Sequence, residues 1–228
     1  MERPEKKIMN IKDYAVIFDM DGLLIDSESQ HKAAEYRLLQ YLKCENLVDL
    51  CHNTYGMKTE DALLFLKSRA DFPQTMEQAK AYWLEVILRE FSGVELMPGA
   101  ENCLNMLKKL GICVGLCSSS PWELINPALD NLNIRTYFDQ LVSGDEVKTG
   151  KPEPEIYLAC AGKLKVKPEN CLALEDAPKG VEAAKRAGMK CFAVPNCHTR
   201  EFDFSPADKI LSSLNELTVE LLGETLGF

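Results

Sequence analysis

The sequence predicts an α/β protein: a parallel sheet covered by helices on both faces, interrupted once by an all-helical insert. Three observations carry this expectation. Short, nearly unbroken apolar runs recur along the 228-residue chain. Helical patterns separate them, and strands buried on both faces of a parallel sheet read as such runs. One stretch, residues 27–97, has several helical starts and no clear strand.

In chain order, the expected strands are residues 14–18, 112–117, 140–143, 171–175 and 191–194, with a shorter sixth at 209–211. Helices are expected at roughly 100–110, 121–132, 153–164 and 178–187. Within the insert, Ser27-x-x-Gln30 and Thr75-x-x-Gln78 fit the capping-box pattern. After the second, Met76, Ala79, Trp83, Val86 and Ile87 fall on one helical face. Pro98-Gly99 marks the return to the sheet. The expected division is a core of residues 1–26 and 98–228 and a helical cap of residues 27–97, placed to act as a lid over the first strand's end. The first ten residues are expected to lack order and to carry no chemistry.

Composition narrows the class. The chain is 46% hydrophobic and 27% charged, an ordinary globular balance. A net charge of −9 argues against nucleic acid as a partner. No run approaches the ~18 apolar residues of a membrane span, and no secretory pattern follows Met1. Nine cysteines show no C-x-x-C pair, and Cys113, Cys117, Cys171 and Cys191 lie in or beside apolar runs. They read as buried free thiols of a reduced, cytoplasmic protein, and zinc is disfavoured.

Four motifs carry candidate chemistry. The first strand ends in Asp19-Met20-Asp21-Gly22. Carboxylates two apart on an extended chain project the same way, and their repulsion calls for a hard cation such as Mg²⁺. The second strand ends in Ser118-Ser119-Ser120-Pro121-Trp122-Glu123. Ser120 and Glu123 read as a capping box with Pro121 at the first helical position. Ser118 and Ser119 then precede a helix N-terminus, where free N–H groups and a hydroxyl suit an anion. Third comes Gly150-Lys151-Pro152-Glu153-Pro154, in which prolines stiffen the backbone around a lysine suited to offset phosphoryl charge. Fourth, Glu175-Asp176 close another apolar strand and are positioned to complete a metal site. All four lie at the same end of successive strands, the edge at which parallel α/β sheets bind ligands.

In that order and spacing, the D-x-D-G, Ser, G-K-P and E-D elements resemble the haloacid dehalogenase-like superfamily. The branch is that of β-phosphoglucomutase, sugar-phosphate phosphatases and pseudouridine-5′-phosphatase, and the match runs from about Tyr14 to Leu222. The resemblance implies a Rossmann-like core with a helical cap, a small phosphorylated metabolite as the partner, and a monomer. It implies Asp19 as a nucleophile forming an aspartyl-phosphate and Asp21 as acid and base. It also implies Mg²⁺ held by Asp19, the Asp21 carbonyl, Asp176 and Glu175, with Ser118, the Ser119 N–H and Lys151 on the phosphoryl oxygens.

Lys58, in the loop Tyr55-Gly56-Met57-Lys58-Thr59, and His31, on the first cap helix, are the expected substrate contacts. The mutases carry an arginine where this chain has Thr59, and a lysine and an asparagine in place of Pro121 and Trp122. Those departures remove a grip on a second phosphate. The segment 205–218 resembles the bacterial sugar-phosphate phosphatases. A sugar or polyol phosphate, such as 2-deoxyglucose 6-phosphate, is therefore the first expected substrate, ahead of pseudouridine 5′-phosphate. The dehalogenase branch lacks the second aspartate, which Asp21 supplies.

Overall fold

A computed structural model describes residues 10–91 and 93–228. The expectation for the first ten residues therefore falls, but for Asn10, outside the described residues. In chain order the strands are β1 (Ala15–Phe18), β2 (Ile25–Asp26), β3 (Glu95–Leu96), β4 (Cys113–Ser118), β5 (Gln140–Ser143), β6 (Cys171–Glu175), β7 (Lys190–Ala193) and β8 (Lys209–Ile210). The helices are α1 (Glu28–Leu42), α2 (Thr59–Lys67), α3 (Met76–Glu90), α4 (Ala100–Leu110), α5 (Trp122–Asn131), α6 (Glu155–Leu164), α7 (Pro178–Arg186) and α8 (Val219–Leu226).

Six strands form one parallel sheet in the order β5-β4-β1-β6-β7-β8. Strand β1 is the point where the order reverses, because β4 follows it on one side and β6 on the other. At such a switch point the strand ends leave a crevice between diverging connections.

The apolar strands earn their burial on both faces. Along β1, Val16 and Phe18 join a cluster with Leu104 and Leu107 of α4, Leu124 and Ile125 of α5, and Leu222 of α8. Ala15 and Ile17 point the other way, to Ile156 and Tyr157 of α6 and Val181 of α7. This period-two alternation is what a central strand requires. Helix α8 and the short strands β2 and β3 are additions to the expected elements. Ile25 pairs with Leu96 and Asp26 with Glu95 in an antiparallel ribbon, where the chain leaves the sheet and returns.

Between β2 and β3 the described chain forms α1, α2, α3 and a 3-10 segment at Glu45–Thr54. These build their own apolar cluster, including Leu39, Leu42, Leu63, Leu66 and Ala79. The Thr75–Gln78 capping box forms at the start of α3. Two other expected caps do not form. Ser27 precedes α1 without a side-chain cap bond, and α5 begins at Trp122 behind an uncapped Pro121 rather than behind Ser120. Both serine hydroxyls are instead spent on Asp21.

The loop carrying Lys151 is anchored by Glu155, the first residue of α6. Its carboxylate accepts from the Lys148 N–H (3.0 Å), the Thr149 N–H (2.8 Å) and the Thr149 hydroxyl (2.7 Å). These bonds hold the carboxyl down at about 2, from an ordinary 4.5. A depressed carboxyl contributes stability that is present above its unfolded value and is lost as pH falls through its folded one. Glu155→Gln is therefore expected to melt below wild type at neutral pH. The gap should narrow between pH 4.5 and pH 2, which thermal scans across that window would show; a constant gap would refute the anchoring.

Candidate active site

The tips of β1 and β6 bring their acids together. Asp19 lies just beyond Phe18, and its N–H donates to the Leu174 carbonyl of β6 at 3.0 Å. Ligand oxygens of Asp19, Glu175 and Asp176 lie within 4.8 Å of one another, all three buried. Removing three carboxylates from water this close together is costly unless cations compensate.

Lys151 supplies one. Its ammonium sits 2.5 Å from Asp19 Oδ1 and 2.6 Å from Glu175 Oε1, with 2% of the residue exposed. The remaining demand is visible in the carboxyls. Burial pushes Asp19 up to about 8, with Lys151 pulling the other way and Glu175 and Asp21 adding to the rise. Burial also raises Asp176 well above its ordinary range, helped by Asp19 and Glu175. A second cation at this cluster would relieve both, and buried carboxylate oxygens are the donor set that Mg²⁺ takes.

The backbone at Gly22 makes room for the cluster. Gly22 has φ +76°, and a Cβ there would overlap Asp176 and approach the Asn196 amide. Asn196 Nδ2 donates to Asp176 Oδ2 at 2.8 Å and to the Gly22 carbonyl at 3.1 Å, fixing the acid's orientation.

Asp21 turns to different neighbours. Its Oδ1 accepts from the Ser27 hydroxyl (2.8 Å) and lies 3.1 Å from His31 Nε2. Its Oδ2 accepts from Ser120 (2.8 Å) and Ser118 (3.3 Å). Burial pushes its carboxyl up, but His31 and the Ser27 and Ser120 hydroxyls outweigh this and leave it below the ordinary value. Burial likewise pulls His31 down, and Asp21 more than reverses it, so the imidazole lies above its ordinary value.

Asp19, Asp21, Ser119, Glu175, Asp176 and His31 all line one cavity that runs from the sheet edge into the helical insert. Lys151 is not among its lining residues and reaches it only through Asp19. Lys58 does not reach into it: its ammonium donates to the Val147 carbonyl at 2.8 Å. The Ser119 hydroxyl donates to the Gly56 carbonyl at 2.8 Å, joining core to insert.

Four residues of this site escaped the sequence reading. Ser27 and Ser120 were legible only as helix caps. Asn196 lies in an unpatterned loop. Tyr157, six residues after Lys151, donates its hydroxyl to Glu175 Oε1 at 2.5 Å; its position in an apolar helix face disguised it as core.

The comparisons with known proteins agree with this geometry. Residues 15–188 match the model of the haloacid dehalogenase-like hydrolases. The chain belongs to that family. It is 37% identical over 222 residues to hexitol phosphatase B of Escherichia coli, covering 92% of this chain and 96% of that protein. It is 32% identical over 218 residues to a probable pseudouridine-5′-phosphatase of Drosophila melanogaster, covering 91% and 92% respectively. Among solved structures, a putative β-phosphoglucomutase from Thermotoga maritima superposes with a TM-score of 0.67 at 32% identity, over 93% of this chain and all of that one.

The packing behind Glu175 offers a stability test. A Cβ on Gly180, in α7, would overlap the Glu175 carboxylate, which Lys151 and Tyr157 hold in place. Alanine ordinarily favours a helix over glycine by about 1 kcal/mol. Here Gly180→Ala is expected to destabilise, by about 1–3 kcal/mol as overpacking does, measured by urea unfolding. A stabilised variant would show that Glu175 is free to move.

Proposed function

We propose that the chain is a Mg²⁺-dependent phosphatase of sugar or polyol phosphates, working through an aspartyl-phosphate. It would act as a cytoplasmic monomer, with 2-deoxyglucose 6-phosphate among its candidate substrates. The observation that carries this reading is the contrast between its two aspartates. Asp19 stands in the carboxylate cluster against Lys151, whereas Asp21, two residues on, is held by hydroxyls and an imidazole. Adjacent carboxylates with different surroundings suit different roles.

Asp19 Oδ1 is engaged by Lys151, and its other oxygen attacks phosphorus. The bond from phosphorus to the leaving oxygen breaks as Asp21 donates a proton to that oxygen. Water then attacks the aspartyl-phosphate, Asp21 takes its proton, and inorganic phosphate leaves as the acyl-phosphate P–O bond breaks. Ser118, the Ser119 N–H and Lys151 are assigned to the phosphoryl oxygens, since this chemistry asks mainly for positioning and charge compensation. Mg²⁺ fits the cluster of Asp19 and Asp176 with the Asp21 carbonyl, and when bound it offsets charge between the nucleophile and the phosphoryl group. Glu175 belongs to the same acidic group and is assigned to the metal directly or through water, and its Oε1 accepts from Lys151 and Tyr157, so it also holds the lysine. Residues 27–97 act as the cap, and His31 contacts Asp21 rather than serving as a simple substrate ligand.

A phosphate-release assay with sugar and polyol monophosphates tests the reading. Wild type should release phosphate with Mg²⁺, lose the activity in a chelator and regain it when Mg²⁺ is restored. Asp19→Asn should fall below about a tenth of wild-type turnover while melting at a similar temperature. Chelator-resistant turnover, or an active Asp19→Asn, refutes it. Isomerisation of β-glucose 1-phosphate faster than release from every ester would favour the mutase instead.

A further inference from the structure

The cavity extends beyond the groups that the proposed mechanism uses. Its far wall is one face of α1: Glu28, His31, Lys32, Glu35 and Leu38 recur at helical spacing and all line it. His31 marks the catalytic end, at Asp21. Glu28 and Glu35 lie one turn to either side of it. We infer that this wall selects a polyhydroxyl leaving group that is neutral or cationic and refuses a second anion, with Glu28 and Glu35 as the specificity-determining residues. This rests on the phosphatase reading of the catalytic end.

The charge count along the wall decides the matter. Glu28 is half-buried, and burial raises its carboxyl, with smaller charge effects from His31, Asp21, Lys32 and Glu35. Glu35 is half-buried too and raised by burial, while accepting from the Thr54 hydroxyl at 3.2 Å. Partly desolvated carboxylates are strong acceptors for substrate hydroxyls. They are equally strong repellents of a carboxylate or phosphate brought against them.

Among the described residues Lys32 is the one lysine on this wall; it is exposed, its ammonium lies 2.7 Å from His198 Nδ1, and as a single charge it offsets the two carboxylates only in part. Lys58 and Lys179 donate to the Val147 and Asn53 carbonyls at the rim and are not among the wall residues. His31 is engaged by Asp21. Leu38, Leu63, Leu66 and Trp83 complete the wall, offering apolar surface to the carbon faces of a sugar or polyol.

Three esters of one chain length separate the alternatives: glucitol 6-phosphate, glucosamine 6-phosphate and 6-phosphogluconate, which carry a neutral, a cationic and an anionic far portion. With wild-type enzyme and Mg²⁺, kcat/KM for the first two should exceed that for 6-phosphogluconate at least about 30-fold. Glu35→Gln should narrow the ratio by at least about threefold, and Glu28→Gln/Glu35→Gln should bring it below about fivefold. Calorimetric binding of the same esters to Asp19→Asn with Mg²⁺ gives the ratio without turnover. A failure of hydrolysis therefore sinks the phosphatase reading, while the binding ratio still decides this one. Comparable constants for glucitol 6-phosphate and 6-phosphogluconate in wild type overturn the inference. So does an undiminished ratio in a cooperatively folded double variant, or no measurable binding of glucitol 6-phosphate. Should the double variant fail to fold, the wild-type ratio and the single variant decide.

Discussion

The pairing of Lys151 with Asp19 and Glu175 is the interaction on which the rest of the site depends. The sheet order forces it. Parallel pairing of β1 with β6 sets Phe18 beside Leu174, so the residues that follow each strand emerge together. Those residues are Asp19, Glu175 and Asp176. Without a cation this edge would hold three buried like charges, a situation that proteins resolve by protonation or by compensation. Lys151 arrives from a different connection, before α6, and its own ammonium is held in the charged state: burial opposes the charge, but Asp19 and Glu175 overcome it and raise its proton affinity. Removing the lysine from such a buried set costs about 3–5 kcal/mol, because its carboxylates are left uncompensated. The site is thus part of the fold's stability as well as its chemistry.

Supporting residues follow from that constraint. Tyr157 adds a second donor to Glu175 Oε1, which spreads the carboxylate's charge and leaves the lysine available to Asp19. Gly180 is required because Glu175 fills the space where a side chain would stand. The insert is fastened at the same place. Gly56 and Lys58, from the loop before α2, meet Ser119 and Val147 of the core. A Cβ on Gly150 would collide with Asp61 and Lys58, so the loop of Lys151 and the helical insert are in direct contact.

Much of this was legible in the sequence because it obeys local rules. The strands announced themselves as apolar runs, and β5 and β6 fell on residues 140–143 and 171–175 as expected. The four motifs sat at or just beyond strand ends, where topology makes neighbours of distant residues. What the sequence hid was competition for hydroxyls. Ser27 and Ser120 each have the spacing of a helix cap, but each hydroxyl is turned toward Asp21 and donates to its buried carboxylate, a strong acceptor, and neither oxygen caps a helix N–H. The partner of Lys58 was hidden too: sequence shows a basic residue in a loop but not that the Val147 carbonyl lies within its reach. Tyr157 shows the converse, a polar atom carried into the core by a side chain whose ring is all that periodicity detects.

The surroundings of Asp21 pose a problem that the imidazole resolves. In the proposed reaction Asp21 protonates a leaving oxygen and is best served by a raised proton affinity, yet His31 and the Ser27 and Ser120 hydroxyls outweigh burial and lower it. His31 moves the opposite way. Carboxylate and imidazole shift each other: His31 favours the ionised form of Asp21, and Asp21 favours the protonated imidazole. An ionised Asp21 is the state that the hydrolytic half-reaction needs, because water must lose a proton to it. In the proposed first half-reaction His31 Nε2, 3.1 Å from Asp21 Oδ1, is placed to share a proton with it. His31 belongs to the helical insert and Asp21 to the end of β1, so this one contact couples the electrostatics of the carboxylate to the packing of insert on sheet.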